Sequence, residues 1–185
     1  MTLVLETQQL LLRPFQAADL EAFIAYRSDP ATARYQSWDV PYSAQQAAAF
    51  IAALQAIQPA TPGAWYQLAI ERKARGDMIG DCAFCLLADD PRHAEIGFTL
   101  APAHRGHGYA TAAVRRLLAY LFEEVGVQRV RAICDVENTA SMTLLERLGM
   151  RREGHVRERV WFKGRWSSEY WYALLRQEWL HTDQD

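Results

Sequence analysis

The spacing of apolar and polar positions divides the chain into segments of different texture. From Leu10 to Phe15 apolar residues alternate loosely up to Pro14, which predicts a first strand near a sheet edge, because proline gives no N–H to a central ladder. Leu20, Phe23 and Ile24 mark one face of a helix that stops at Ser28-Asp29-Pro30, since the residue before proline avoids helical angles. Ser43-x-x-Gln46 forms a capping box, and Ala47, Phe50, Ile51 and Leu54 continue at the helical interval until Pro59, Pro62 and Gly63 end the run.

Between Trp65 and Leu100 the period changes. Three strand-like runs, 65–71, 78–87 and 94–100, are separated by Ala74-Arg75-Gly76-Asp77 and by Ala88-Asp89-Asp90-Pro91. Turns this short imply an antiparallel meander. The clearest helical stripe follows over 108–124, with Ala110, Ala113, Val114, Leu117, Leu118, Leu121, Phe122 and Val125 on one side and Gly126 as its stop. Its apolar face must rest on the sheet. A strand over 129–134, a short helix over 139–148 closed by Gly149, and two strands around Lys163-Gly164 complete the pattern. The expected architecture is α/β of the α+β kind: a mixed, mostly antiparallel sheet flanked by helices, with one parallel crossover. Residues 1–185 are expected to form one domain, because 185 residues of which 50% are hydrophobic fall within the range that one core serves.

Charge and composition narrow the function. Twenty Lys and Arg against 22 Asp and Glu leave a net charge of −2, so no positive field attracts a polyanion, and neither nucleic acid nor anionic membrane is expected as a partner. The opening Met1-Thr2-Leu3-Val4-Leu5-Glu6 lacks a basic leader before an apolar run, and no stretch approaches the roughly 18 apolar residues of a membrane span, so a soluble cytoplasmic protein is expected. The three cysteines are Cys82, Cys85 and Cys134, an odd number without a second CxxC pair. They read as buried free thiols, not as a disulfide framework or a zinc site.

The segment that carries chemistry runs strand, loop, helix: Ala94-Glu95-Ile96-Gly97-Phe98-Thr99-Leu100, then Ala101-Pro102-Ala103-His104, then Arg105-Gly106-His107-Gly108-Tyr109-Ala110-Thr111. A helix N-terminus presents about four unpaired amides and a partial positive charge, which together attract phosphate oxygens. Gly106 and Gly108 remove the side chains that would hold a pyrophosphate away from that backbone, and Arg105 adds a charged donor. A Rossmann loop does not fit, because Gly106-x-Gly108 is followed by Thr111 where a third glycine belongs and the preceding strand lies in a meander. A P-loop does not fit either, since Gly-Lys-Ser/Thr is missing. His104 and His107 have metal-like spacing but no third ligand, so no metal is expected.

These residues resemble the acetyl-CoA signature of the GNAT N-acetyltransferase superfamily, R/Q-x-x-G-x-G/A, met by Arg105, Gly108 and Ala110. Asn138-Thr139-Ala140-Ser141 followed by Leu144-Leu145-x-x-Leu148-Gly149-Met150 is similar to the second coenzyme A segment of that superfamily. Thr7-x-x-Leu10-x-Leu12-Arg13-Pro14 with Asp19 and Ser28-Asp29-Pro30 looks like the branch that contains the ribosomal-protein-alanine acetyltransferases of the RimJ and RimL type. The tail Gly164-x-Trp166 with Tyr172-Ala173-Leu174-Leu175 is similar to that branch too, except that its acidic residue two places after the tryptophan is Ser168 here, with Glu169 next to it.

The resemblance implies an acetyl-CoA-dependent transfer of an acetyl group to a primary amine by direct attack in a ternary complex, with acetyl-CoA as cosubstrate. It implies that backbone groups of Phe98, Thr99 and Leu100 hold the pantetheine arm, that residues 105–111 (Arg105, Gly106, His107, Gly108, Tyr109, Ala110 and Thr111) hold the diphosphate, and that Asn138 caps its helix or contacts the coenzyme. Ser141 is implied as hydrogen-bond donor to the leaving sulfur; a thiol pKa of about 8.5 makes that donation sufficient without full proton transfer. Glu95 is implied as the base that deprotonates the amine, directly or through water, and equally reads as the polar face of an alternating strand. Tyr35, Trp38 and Tyr42 fall where the acceptor groove is bordered in this fold, with Tyr35 and Trp38 as candidate acceptor contacts and core packing as the plain alternative. The leading expectation for the acceptor is a protein N-terminal amine; the alternatives are a small amine such as a polyamine, amino sugar or amino acid, and no acceptor at all in a non-catalytic acyl-CoA-binding module. Trp161, Trp166 and Trp171 are expected on the terminal strands, where a homodimer interface is one reading.

Overall fold

The computed structural model describes residues 3–182. Its eight strands form one sheet in the order β1-β2-β3-β4-β5-β6-β8-β7. The strands are β1 (Leu5–Glu6), β2 (Leu10–Arg13), β3 (Tyr66–Arg72), β4 (Asp77–Leu86), β5 (His93–Leu100), β6 (Arg129–Asp135), β7 (Arg151–Phe162) and β8 (Arg165–Leu175). Every pairing is antiparallel except β5 with β6. The helices are α1 (Leu20–Arg27), α2 (Pro30–Ala33), α3 (Ala44–Leu54), α4 (Tyr109–Ala119), α5 (Thr139–Arg147) and α6 (Arg176–Thr182). The expected mixed, mostly antiparallel sheet with one parallel crossover is therefore what the chain forms.

Helices cover both faces. On one side α4 and α5 press Val114, Leu117, Leu118 and Leu145 onto Leu68, Phe84 and Val130. On the other, α1 and α3 pack Phe23, Tyr26, Ala47 and Ile51 against Ala69 and Met78. This double cover explains why β4 is buried at every position from Met78 to Leu86, where a one-sided sheet would show alternation.

Two local expectations are refined and a third holds. The first predicted strand is β2, which ends at Arg13, so Pro14 never enters the ladder; the edge is taken by β1, too short to show a period. The long helix stays α-helical only to Ala119, and 120–125 continues as a π-helical turn that keeps Leu121 and Phe122 buried before Gly126 ends it at φ 83°. The capping box at Ser43 forms as read, with Gln46 N–H to Ser43 Oγ at 3.2 Å and Ser43 N–H to Gln46 Oε1 at 2.9 Å.

The three cysteines are buried free thiols. Trp161 and Trp166 pack edge to face on the β7–β8 hairpin and remain 61% and 57% exposed. Among the described residues no helix is long and apolar enough to cross a membrane.

One irregularity positions the site. The parallel pairing of β5 with β6 runs His93–Arg129, Ala94–Val130 and Glu95–Arg131 and then ends, although β5 continues to Leu100 and β6 to Asp135. Beyond that rung β5 stays with β4 as far as Leu100, and β6 stays with β8 as far as Asp135 opposite Glu169. The sheet therefore splits into two halves that diverge, and each bordering strand turns one unpaired backbone edge into the cleft.

Candidate active site

The cleft holds a cavity of about 200 Å³ between Ile96, Gly97 and Phe98 on one wall and Ile133, Cys134 and Asp135 on the other. A larger cavity of about 480 Å³ adjoins it, running from Phe98, Thr99 and Leu100 past the loop after β5 to the start of α5. Five residues line both: Tyr35, Gln36, Phe98, Asn138 and Ser141.

The loop leaves its backbone open toward the larger cavity. A single 3₁₀ turn over Pro102–His104 leads to Gly106 and Gly108, at φ 79° and 80°, values that side chains other than glycine adopt at a cost. A Cβ on either glycine would meet nothing within 4 Å, so the protein itself does not crowd them; the open side belongs to the cavity they line. The first bond of α4 runs from Ala112 N–H to Gly108 O at 3.0 Å, so the amides of Tyr109, Ala110 and Thr111 precede the ladder, beside the same cavity. These residues fit the diphosphate and pantetheine of a coenzyme A thioester. Arg105 lines the wall as well, but its side chain is also tied inward, Nε to Leu100 O at 3.0 Å and Nη2 to Thr32 Oγ1 at 2.7 Å. His107 turns its Nδ1 to Arg105 O at 2.8 Å and stacks on Tyr109, outside the cavity lining.

Opposite the loop, Asn138 caps α5 by accepting from Ser141 N–H at 3.2 Å. That bond sets Ser141 in the first turn at the junction of the two cavities. The roof is α2 with the residues after it: Tyr35 donates its hydroxyl to Glu137 O at 3.2 Å and lines both cavities. Trp38 does not join it. Its indole N–H goes to Arg27 O at 2.9 Å and its ring lies 4.0 Å from the Arg27 guanidinium, inside the α1–α3 core, which is the plain packing alternative.

Glu95 is placed on the last paired rung. Its carboxylate accepts from Arg131 Nε at 2.8 Å and Nη2 at 2.7 Å and lines neither cavity. The carboxylates that do face the smaller cavity are Asp135 and Glu169, across from each other on β6 and β8. Asp135 is held by Ser167 Oγ, by Glu137 N–H at 2.7 Å and by Arg165 at 3.5 Å. Neither Asp135 nor Ser167 stands out in sequence: the parity of β6 shows which side Asp135 occupies, but nothing local shows that β6 and β8 are neighbours beside a split. Cys134 also lines this cavity, and burial followed by the charge of Asp135 pushes its thiol up to about 11, so it stays protonated near neutral pH.

Comparison with known proteins agrees with this geometry. Residues 9–151 match the model of the acetyltransferase (GNAT) domain. The chain is 31% identical over 174 residues to an uncharacterized N-acetyltransferase, p20, of Bacillus licheniformis, covering 94% of this chain and 97% of that one. A putative ribosomal N-acetyltransferase of Bacillus subtilis, YdaF, is 36% identical over 104 residues, 56% of this chain and 57% of the relative. The crystal structure of a GNAT-family acetyltransferase from Bacillus anthracis superposes with a TM-score of 0.84 at 27% identity, covering 95% of this chain and all of the other. With a split sheet, a glycine cradle at the start of α4 and a family match over most of its length, the chain belongs to the GNAT acetyltransferases.

Proposed function

We propose that this acetyl-CoA-dependent N-acetyltransferase acts on a small cationic primary amine, seated in the cleft between β5 and β6. The observation that carries this reading is the junction: the larger cavity is lined by Gly106, Gly108 and the first residues of α4, the smaller by two carboxylates, and Phe98 and Ser141 line both. A volume of about 200 Å³ lies below the roughly 300–1,000 Å³ of pockets for drug-sized ligands, which suits one short amine-bearing chain.

Residue roles follow from position. Coenzyme A brings the acetyl group as a thioester, whose carbonyl carbon the amine attacks. Unpaired backbone N–H groups on the cleft edge of β5, those of Phe98 and Leu100, stabilise the charge that develops on the carbonyl oxygen. Ser141 donates a hydrogen bond to the departing sulfur. Asp135, with Glu169 beside it, holds the ammonium form and takes its proton; Glu95, which the resemblance implies as base, is paired with Arg131 outside both cavities.

A second reading keeps a protein N-terminus as acceptor. It draws on the ribosomal relative and on a wide depression of about 740 Å³, next to the cleft at Phe162 and lined by Arg34, Lys163 and Arg165, across which a peptide could leave. Thiol release from acetyl-CoA, measured with a panel of diamines, amino acids, amino sugars and peptides, separates the readings. Turnover confined to peptides would replace the small amine with a polypeptide. Tight coenzyme binding with no turnover on any member would make the protein a binding module.

A further inference from the structure

Helix α2 has four residues, too few to hold itself, since a single turn fixes several dihedrals for one hydrogen bond. It is held from outside. Asp29 caps it, accepting from Thr32 N–H and from Thr32 Oγ1, both at 2.7 Å. Lys163 donates to Ala33 O at 2.6 Å, and Tyr35, just beyond, reaches Glu137 O. The fourth tie comes from the coenzyme loop: Arg105 Nη2 to Thr32 Oγ1. Thr32 is 5% exposed, so its hydroxyl is a buried relay that donates to Asp29 while accepting from Arg105. Arg105 is fixed in turn to Leu100 O at the end of β5.

The residues that follow this short helix, Tyr35 and Gln36, line donor groove and acceptor cavity alike. We propose that Thr32 is a positioning residue: through Arg105 it couples occupancy of the coenzyme loop to the placement of the α2 roof over the acceptor. The inference rests on the reading of the larger cavity as the coenzyme site. A filled loop strengthens the hold that Arg105 already has on Thr32 and, through it, on the roof over the cleft; by linkage, an acceptor under the roof strengthens coenzyme binding by the same factor. Loss of one such hydrogen bond is expected to change the coupling about three- to tenfold.

The test uses the full chain with coenzyme A as probe. In the wild type, coenzyme A is expected to slow amide exchange both at 105–111 and at 30–36. In Thr32→Val, which keeps the Asp29 cap on the backbone, 105–111 is expected to be protected as before while the added protection at 30–36 is lost; Thr32→Ser is expected to restore it. With an acceptor amine found by the thiol-release screen, Thr32→Val is expected to lower kcat/KM for the amine about three- to tenfold and leave the Kd for coenzyme A within about threefold. Protection at 30–36 that is the same in Thr32→Val, or absent from the wild type while 105–111 is protected, would overturn the coupling alone. Coenzyme A that protects neither segment would overturn the donor-site reading with it.

Discussion

Asn138 and Ser141 are joined by one hydrogen bond, 3.2 Å from the Ser141 amide to the Asn138 side-chain oxygen, and that cap sets the serine at the junction of the two cavities. Cap and proposed donor are separable by substitution. Ser141→Ala is expected to lower kcat about tenfold, the worth of one hydrogen bond in the transition state, with coenzyme affinity within about twofold. Asn138→Ala is expected to cost about 1 kcal/mol of stability by loss of the cap and to lower kcat as well. Steady-state kinetics beside a thermal melt checks both, and unchanged turnover in Ser141→Ala removes it from the mechanism.

Gly108 stands at φ 80° with open space where a side chain would project. Two costs follow from a substitution there, backbone strain of about 1–2 kcal/mol for an L-residue and obstruction of whatever approaches the amides of α4. Gly108→Ala is expected to weaken acetyl-CoA binding at least tenfold, and Gly108→Val to abolish it, while far-UV circular dichroism stays unchanged. Undiminished binding of acetyl-CoA to Gly108→Val by calorimetry would refute the cradle.

The glycine turn before α4 and the α5 cap were legible in sequence because each is local: Gly106 and Gly108 adjoin the helix stripe, and Asn138 lies three residues before Ser141. The meander, both main helix stripes and the stop at Gly126 were legible for the same reason. What escaped depends on partners far apart in the chain. Asp135 becomes a cavity residue only because β8 lies beside β6 and β5 leaves it after three paired rungs, and no period in either strand records that. Trp38 illustrates the converse: its neighbourhood in sequence pointed to the acceptor, yet its ring lies over the Arg27 guanidinium, half-buried against the α1–α3 core.

Glu95 and Asp135 are rival destinations for the proton, and their surroundings differ. Glu95 is spoken for by Arg131 on the closed side of the split, whereas Asp135 lines the acceptor cavity. Asp135→Asn is expected to lower kcat/KM for the amine at least tenfold near pH 7, where the amine is mostly protonated, with a smaller deficit as the pH approaches the amine's own pKa. Glu95→Gln is expected to lower it no more than about threefold. A pH series of kcat/KM for both variants decides between them; the reverse ranking would return the role to Glu95.

Beneath the site, Asp81 is buried on β4 opposite Thr99, where it accepts hydrogen bonds from the Tyr26 hydroxyl and from Gln67 Nε2, the latter at 2.7 Å. Burial raises its pKa above the ordinary carboxylate value, and the attraction of Arg27 with the two hydrogen bonds only partly offsets that. The folded state therefore binds this proton more tightly than the unfolded chain does. Asp81 then contributes stability that is fully present below the ordinary pKa of about 3.9 and is lost as the pH rises through the raised folded value. Within that window its share of the unfolding free energy falls by up to about 1.4 kcal/mol per pH unit. Asp81→Asn keeps an oxygen for Gln67 and offers its amide N–H to the Tyr26 oxygen, so it removes the titration without stranding either neighbour. Urea unfolding of both proteins from pH 4 to 8 is expected to show the wild type losing ground to the variant as the pH rises. A difference that is flat with pH, or that grows in favour of the wild type, would mean that the buried carboxylate is not held in its neutral form by the fold.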